Sequence, residues 1–134
     1  MLNNIKLKYI YFTLMIIQVI LTCLFIIGYT NKINKENFDS KVEKGVVLVD
    51  FFANWCMPCK MLSPVLEEAS ELFGDKVSIY KVDVDKDNEL AARFNVMSIP
   101  NLILFKDGKA VNQHVGFASK QDIVDFIKTA LKSD

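Results

Sequence analysis

The sequence is poor in the residues that specialised scaffolds rely on. Three cysteines in 134 residues are too few, and odd in number, for a disulfide framework, which needs an even and denser set. Sixteen basic and sixteen acidic side chains leave no net charge, so the electrostatic footprint of a nucleic-acid binder is missing and no nucleic-acid partner is expected. There is no internal repeat and no low-complexity linker. Only one arginine stands against fifteen lysines, which together with abundant Asn and Ile reads as an AT-rich, bacterial coding sequence. Charge is absent from Tyr9 to Asn31, and no acid precedes Glu36. What is present is apolar mass. At 51% apolar residues the chain is too hydrophobic for intrinsic disorder, and its length suits one domain rather than two.

The apolar run YIYFTLMIIQVILTCLFIIGYTN follows Lys6 and Lys8 and ends before Lys32. As a helix its 23 residues would reach about 34 Å, enough for a hydrocarbon core of about 30 Å. Tyr9 and Tyr11 at one end and Tyr29 at the other stand where an interfacial aromatic belt would put them. A cleaved signal peptide would want a shorter apolar stretch and a small-x-small site; only Gly28 and Thr30 resemble one. Cys23 lacks the neighbours of a lipid attachment site and reads as a small apolar residue in a membrane helix. The expected organisation is a basic tail over 1–8, a transmembrane anchor over 9–31 and a soluble domain over 32–134.

In the soluble part Asn34 is placed to cap a helix running to about Lys44, with Phe38 and Val42 on one face and Gly45 ending it. Val46 to Ala53 is a continuous apolar, β-rich run, as a strand buried on both faces requires. After NWCMPCK comes a helix whose apolar positions are Met61, Leu62, Val65, Leu66, Ala69, Leu72 and Phe73, with Pro64 predicting a kink and Gly74 a stop. Val77 to Val84 reads as a second strand and Asn88 to Phe94 as a short helix. Pro100 opens a third strand over Leu102 to Phe105, and Asp107-Gly108 is a two-residue hairpin turn into a fourth. Ser119 with Asp122 forms a capping box for a last helix facing the core through Ile123, Ile127, Ala130 and Leu131. Crossovers followed by a hairpin make a mixed α/β sheet with helices on both faces.

The chemistry gathers at Cys56 and Cys59, where the first strand turns into a helix. On a first helical turn, residues i and i+3 are neighbours, close enough for a disulfide to open and close with little backbone motion. The first cysteine meets the positive end of the helix, which favours its thiolate, the attacking species in thiol–disulfide exchange. Pro58 suits a first turn because no N–H is lost there. A lone CxxC is also half a zinc site, but zinc wants four ligands, and the soluble part adds only His114. Asp83, Asp85 and Asp87 alternate like the start of a calcium loop, yet Asn88 and Phe94 occupy its Gly and Glu positions; the three acids read as a solvated strand end. No metal is expected. The setting, a CxxC leaving a buried strand within a βαβ pattern, favours redox chemistry.

At these residues the sequence resembles the thioredoxin family. VLVDFFANWCMPCKMLSP resembles its active-site segment, including Trp55 before the first cysteine and Lys60 after the second. SIPNLILFKDGK resembles its second signature, and HVGFASK the segment that closes the site. The resemblance covers roughly Lys35 to Lys132. It implies a thioredoxin fold, with a mixed central sheet flanked by helices, and protein-disulfide oxidoreductase activity with no cofactor beyond the cysteine pair. It further implies that Cys56 attacks and Cys59 resolves, and that Ile99–Pro100 is a cis bond facing the disulfide. Trp55, Ile99, Pro100 and Gly116 would meet the substrate. Asp50 is anomalous in an apolar strand. Burial raises a carboxyl pKa into the range of a usable base, and the family's matching Asp takes the proton of the second cysteine. Lys81 matches the lysine beside that Asp.

Three departures stand out. Met57 replaces a usual Gly, which with Pro58 should tune the redox potential and the surface seen by partners. Phe52 replaces a common Trp. The family's first strand should fall near residues 29–34, where the apolar run ends, so either that strand is reduced to a few residues around Ile33 or the anchor is shorter. The partners expected are disulfide-bearing proteins, an unidentified electron donor, and the membrane. Pro58 resembles the reducing members; an oxidant or isomerase, and a docking module without turnover, are the alternatives. Topology rules conflict. Lys32, Lys35, Lys41 and Lys44 outnumber Lys6 and Lys8, which would keep the domain in the cytoplasm. But a segment of about 104 residues translocates largely regardless of charge, and the tail before the anchor is basic with no acid, like the n-region of a signal anchor. An extracytoplasmic domain is the expectation.

Overall fold

The computed structural model describes residues 2–27 and 31–132, with side chains over 3–21 and 32–132. Gly28, Tyr29 and Thr30 lie outside the described residues, as does the Cys23 side chain. The first helix, α1 (Leu2–Ile27), starts before the charge-free run, so Lys6 and Lys8 ride on its first turns. Its 26 residues span about 39 Å at 1.5 Å per residue. Within it Asn3–Leu21 is long and apolar enough to cross a membrane, with a mean hydropathy of 1.4. The chain then enters β1 (Asn31–Lys32), which Ile33 extends by donating its N–H to the Lys81 carbonyl at 2.9 Å. The reduced first strand is thus realised, and the helix also stops short of Asn31.

Five strands form one sheet in the order β1-β3-β2-β4-β5. β2 (Val46–Phe52) lies in the middle, parallel to β3 (Val77–Asp83) and antiparallel to β4 (Asn101–Lys106), which pairs antiparallel with β5 (Lys109–Val115). All seven residues of β2 are buried, because helices cover both faces and alternate side chains serve opposite cores. Val46 and Leu48 pack with Leu62, Leu66 and Ala69 of α3 (Met57–Phe73) and with Ile123 and Ile127 of α5 (Lys120–Leu131). Val47, Val49 and Phe51 pack with Phe38 and Val42 of α2 (Phe38–Val42) and Leu90 of α4 (Asn88–Arg93). Truncating a fully buried side chain such as Leu48 costs about 2–5 kcal/mol.

The hairpin between β4 and β5 turns at Asp107 (φ 48°) and Gly108 (φ 81°), the two positive φ values of a type I′ turn. The capping box at Ser119 and Asp122 is present, with both reciprocal bonds made. Elsewhere the sequence expectation needs correcting. α2 is a five-residue helix rather than one running from Asn34 to Lys44. Asn34 and Asn37 accept each other's backbone N–H and the Asn34 carbonyl accepts the Phe38 N–H at 2.9 Å, so Asn34 does cap the turn leading into α2, and it is the regular helix that is shorter. On α3 the buried arc is Cys59, Leu62, Leu66 and Ala69. That stripe is narrower than expected, and Met61 and Leu72 fall outside it, exposed. Asp83 is buried and does not belong to a solvated strand end. It accepts from Asp85 N–H at 3.1 Å and from the Asn54 side chain at 3.4 Å, so it ties the loop after β3 to the loop after β2.

Candidate functional site

The parallel strands β2 and β3 end at the same edge, and there the chain leaves β2 through Ala53, Asn54 and Trp55 into α3. Cys56 is the N-cap of α3, with extended backbone, and its sulfur accepts the Cys59 N–H at 3.3 Å. A disulfide joins the two residues across a Cα–Cα distance of 5.3 Å. Both cysteines are buried, in a small apolar cluster with Phe52 and Ala53 against which Val84 and Ile99 pack. In the dithiol state the same N–H and the helix's positive end favour a Cys56 thiolate. Pro58 lies in the first turn, and Met57 beside it is exposed.

The segment before β4 faces this cluster through Ile99. The Ile99–Pro100 peptide bond is cis, as the resemblance implies. Gly116, at φ 96°, donates its N–H to the Pro100 carbonyl at 2.8 Å, so the turn after β5 is fastened to the proline that precedes β4. A groove of about 390 Å³ opens beside it, lined by Trp55, Val84, Val96, Met97, Ser98 and Ile99. Met97 is 92% exposed and Trp55 70%, yet the Trp55 indole is held in place by donating to Asp85 Oδ2 at 2.9 Å.

Asp50 sits in mid-strand with no exposed surface, and neither of its oxygens has a hydrogen-bond partner. The Lys81 ammonium, one strand over in register, lies 3.6 Å from Asp50 Oδ2. It donates instead to Ser63 Oγ at 2.5 Å and stands 4.7 Å above the Phe52 ring, with Lys32 at 5.2 Å from the same ring. Burial pushes the Asp50 pKa up to about 6, and Lys81 only partly offsets that. Lys81 and Cys59 line one pocket of about 250 Å³ together with Lys32, Phe52, Ala53, Asn54, Lys60 and Ser63. Lys81 is therefore a buried neighbour of Asp50 rather than a surface lysine.

Cys56, Cys59, Trp55, Met57, Pro58, Ile99, Pro100 and Gly116 lie at this edge of the sheet, with Asp50 and Lys81 directly behind it. Ser63, Met97 and Lys32 also belong here without having been assigned to the site from the sequence, and Asp85, read there as part of a solvated strand end, holds the Trp55 indole. Ser63 was within reach, because it stands four residues after Cys59 and so shares its helical face. The others depend on which loops the fold brings together. Among the described residues, no group of three or more His, Cys, Asp or Glu is placed to hold a metal ion.

Comparison with known proteins agrees with this geometry. A family model described as thioredoxin matches residues 29–129. A thioredoxin of Staphylococcus aureus strain Mu50 is 51% identical over 96 residues, covering 72% of this chain and 92% of that protein. A thioredoxin of Staphylococcus saprophyticus is 49% identical over 100 residues, covering 75% of this chain and 96% of its own. Helix α1 precedes the matched segment.

Proposed function

We propose that this chain, which belongs to the thioredoxin family and is a thiol–disulfide oxidoreductase, works in the reducing direction while tethered to a membrane by α1. The observation that carries the chemistry is the Cys56 sulfur at a helix N-cap, bonded to Cys59 and accepting its N–H. In the dithiol state the Cys56 thiolate attacks a substrate disulfide, forming a mixed disulfide and releasing one substrate thiolate. Cys59 then loses its proton to Asp50 and attacks the Cys56 sulfur. The second substrate thiolate leaves, the Cys56–Cys59 disulfide forms, and two electrons have passed to the substrate. A dithiol electron donor must return them. The family's known chemistry needs no cofactor beyond the pair itself.

Trp55, Ile99, Pro100 and Gly116 receive the substrate, whose extended backbone would lie beside the Ile99–Pro100 segment. Met57 and Pro58 set the surface next to the attacking sulfur, and Pro58 resembles the reducing members of the family. The membrane reading rests on α1, whose apolar window suffices to span, and the basic, acid-free tail supports an extracytoplasmic domain.

Reduction of insulin by the full chain with a dithiol reductant tests the catalytic reading. Rapid turnover supports it. Binding of insulin or of unfolded peptides with no turnover would leave a docking module, and net disulfide formation in a reduced substrate would leave an oxidant.

A further inference from the structure

Ser63 sits where this chain can adjust its own proton step. The Lys81 ammonium has two acceptors near it, and it has chosen the neutral one: Ser63 Oγ at 2.5 Å rather than Asp50 Oδ2 at 3.6 Å. Asp50 is left with neither oxygen hydrogen-bonded and no exposure to solvent. Charge-assisted bonds to a carboxylate are ordinarily shorter and stronger than bonds to a hydroxyl, so an ammonium held short of a carboxylate by a hydroxyl has a consequence for both.

We propose that Ser63 is a positioning residue for disulfide exchange: its hydroxyl holds the Lys81 ammonium at 3.6 Å from Asp50, short of hydrogen-bond contact, which leaves the carboxyl a stronger base toward Cys59. This rests on the reading of Asp50 as the proton acceptor. The other charged groups at the site are few. Lys32 of β1 stands across the Phe52 ring, and Lys60 lines the pocket from α3. Asp83 of β3 is buried but bonded to Asn54 and to the Asp85 backbone. β4 faces Asp50 with Leu102, and α5 closes that core with Ile123, so neither supplies a charge. Without the Ser63 hydroxyl the nearest acceptor left to Lys81 is Asp50 Oδ2. A closer cation favours the ionised carboxylate and lowers its pKa; a weaker base then accepts the Cys59 proton less readily.

The test uses the full chain in detergent and its Ser63→Ala and Ser63→Thr variants. The Asp50 carboxyl carbon is titrated by NMR, and the rate of mixed-disulfide resolution with an insulin-derived disulfide peptide is followed from pH 5 to 9. Ser63→Ala should move both midpoints to lower pH by about one unit, in line with a carboxylate gaining a closer cation, and should slow the plateau rate. Ser63→Thr, which keeps the hydroxyl, should restore the parent values. An Asp50 midpoint unmoved in Ser63→Ala, or moved equally in Ser63→Thr, overturns the proposal. A carboxyl that shifts while the rate profile stays fixed overturns the role of Ser63 in exchange, and does so by removing Asp50 from the proton step rather than by removing Ser63 from the placement of Lys81.

Discussion

Asp50 and Lys81 face each other across β2 and β3 at 3.6 Å, close enough to attract and too far to hydrogen-bond. The pair decides how stability should vary with pH. The carboxyl is raised from its ordinary 3.8 to about 6 because burial disfavours its charged form. Between those two values the folded chain holds a proton that the unfolded chain has lost, so stability falls as pH rises through that window and levels off above it. A shift of about two units corresponds to about 3 kcal/mol. Asp50→Ala removes this dependence, and the small cavity it leaves weighs equally at every pH. Urea unfolding of the thioredoxin domain should therefore show the variant gaining on the parent from pH 4 to pH 7.5 by a few kcal/mol. A constant difference between the two proteins across that range would mean that Asp50 does not titrate in it.

The two cysteines should fail in different ways. Cys56→Ser removes the nucleophile at the N-cap, and insulin reduction should drop to background. Cys59→Ser leaves attack intact and removes resolution, so a mixed disulfide should accumulate through Cys56. Mass spectrometry of the trapped adduct identifies the linked residue. An adduct on Cys59 in the Cys56→Ser variant, formed as fast as the other, would reverse the assigned roles.

Trp55 is mostly exposed, yet its indole N–H is bonded to Asp85, which fixes one wall of the groove beside Ile99 before any substrate arrives. Asp85→Ala frees the ring, and the substrate must then order it on binding. A net hydrogen bond of about 1 kcal/mol corresponds to about a fivefold rise in KM. Steady-state kinetics with insulin should show that rise with kcat little changed. A fall in kcat at constant KM would place Asp85 in the chemistry instead of in the wall.

Most of the fold was legible because its signals are local and agree with one another. A fully apolar strand, a capping box and an Asp-Gly turn each have one good structural solution, and β2, α5 and the β4–β5 hairpin follow from them. Asp50 was legible for the opposite reason: an acid in an apolar run breaks the local rule. What escaped depended on contacts between segments distant in sequence. Asp83, Asp85 and Asp87 look alike as an alternating acid run. The first is buried against Asn54, the second accepts from Trp55 and the third from the Lys35 backbone. Periodicity overestimated the buried stripe of α3, since Met61 and Leu72 fit a 3.6-residue repeat without facing the sheet. The early end of α2 coincides with a contact from the β4–β5 turn, whose Gly108 donates its N–H to the Val42 carbonyl at 2.9 Å, and composition alone does not show that contact.

The sheet begins at Asn31 and both cores at Ile33, and no described side chain of α1 belongs to either core, so a chain lacking residues 2–27 should fold and reduce insulin at an unchanged rate. In cells the full chain should sediment with membranes and resist extraction by high salt, because about 19 apolar residues suffice to cross a bilayer. The truncated chain should be released. Orientation is then read by adding protease to intact cells, or to spheroplasts where there is an outer membrane. Four lysines follow the helix and two lie in its first turns, but the acids Glu36, Asp39 and Glu43 are interleaved with the four, whereas Lys6 and Lys8 have no acid beside them. Long segments translocate largely regardless of such counts, so digestion of the domain before lysis is the expected outcome, and protection until lysis would place it in the cytoplasm.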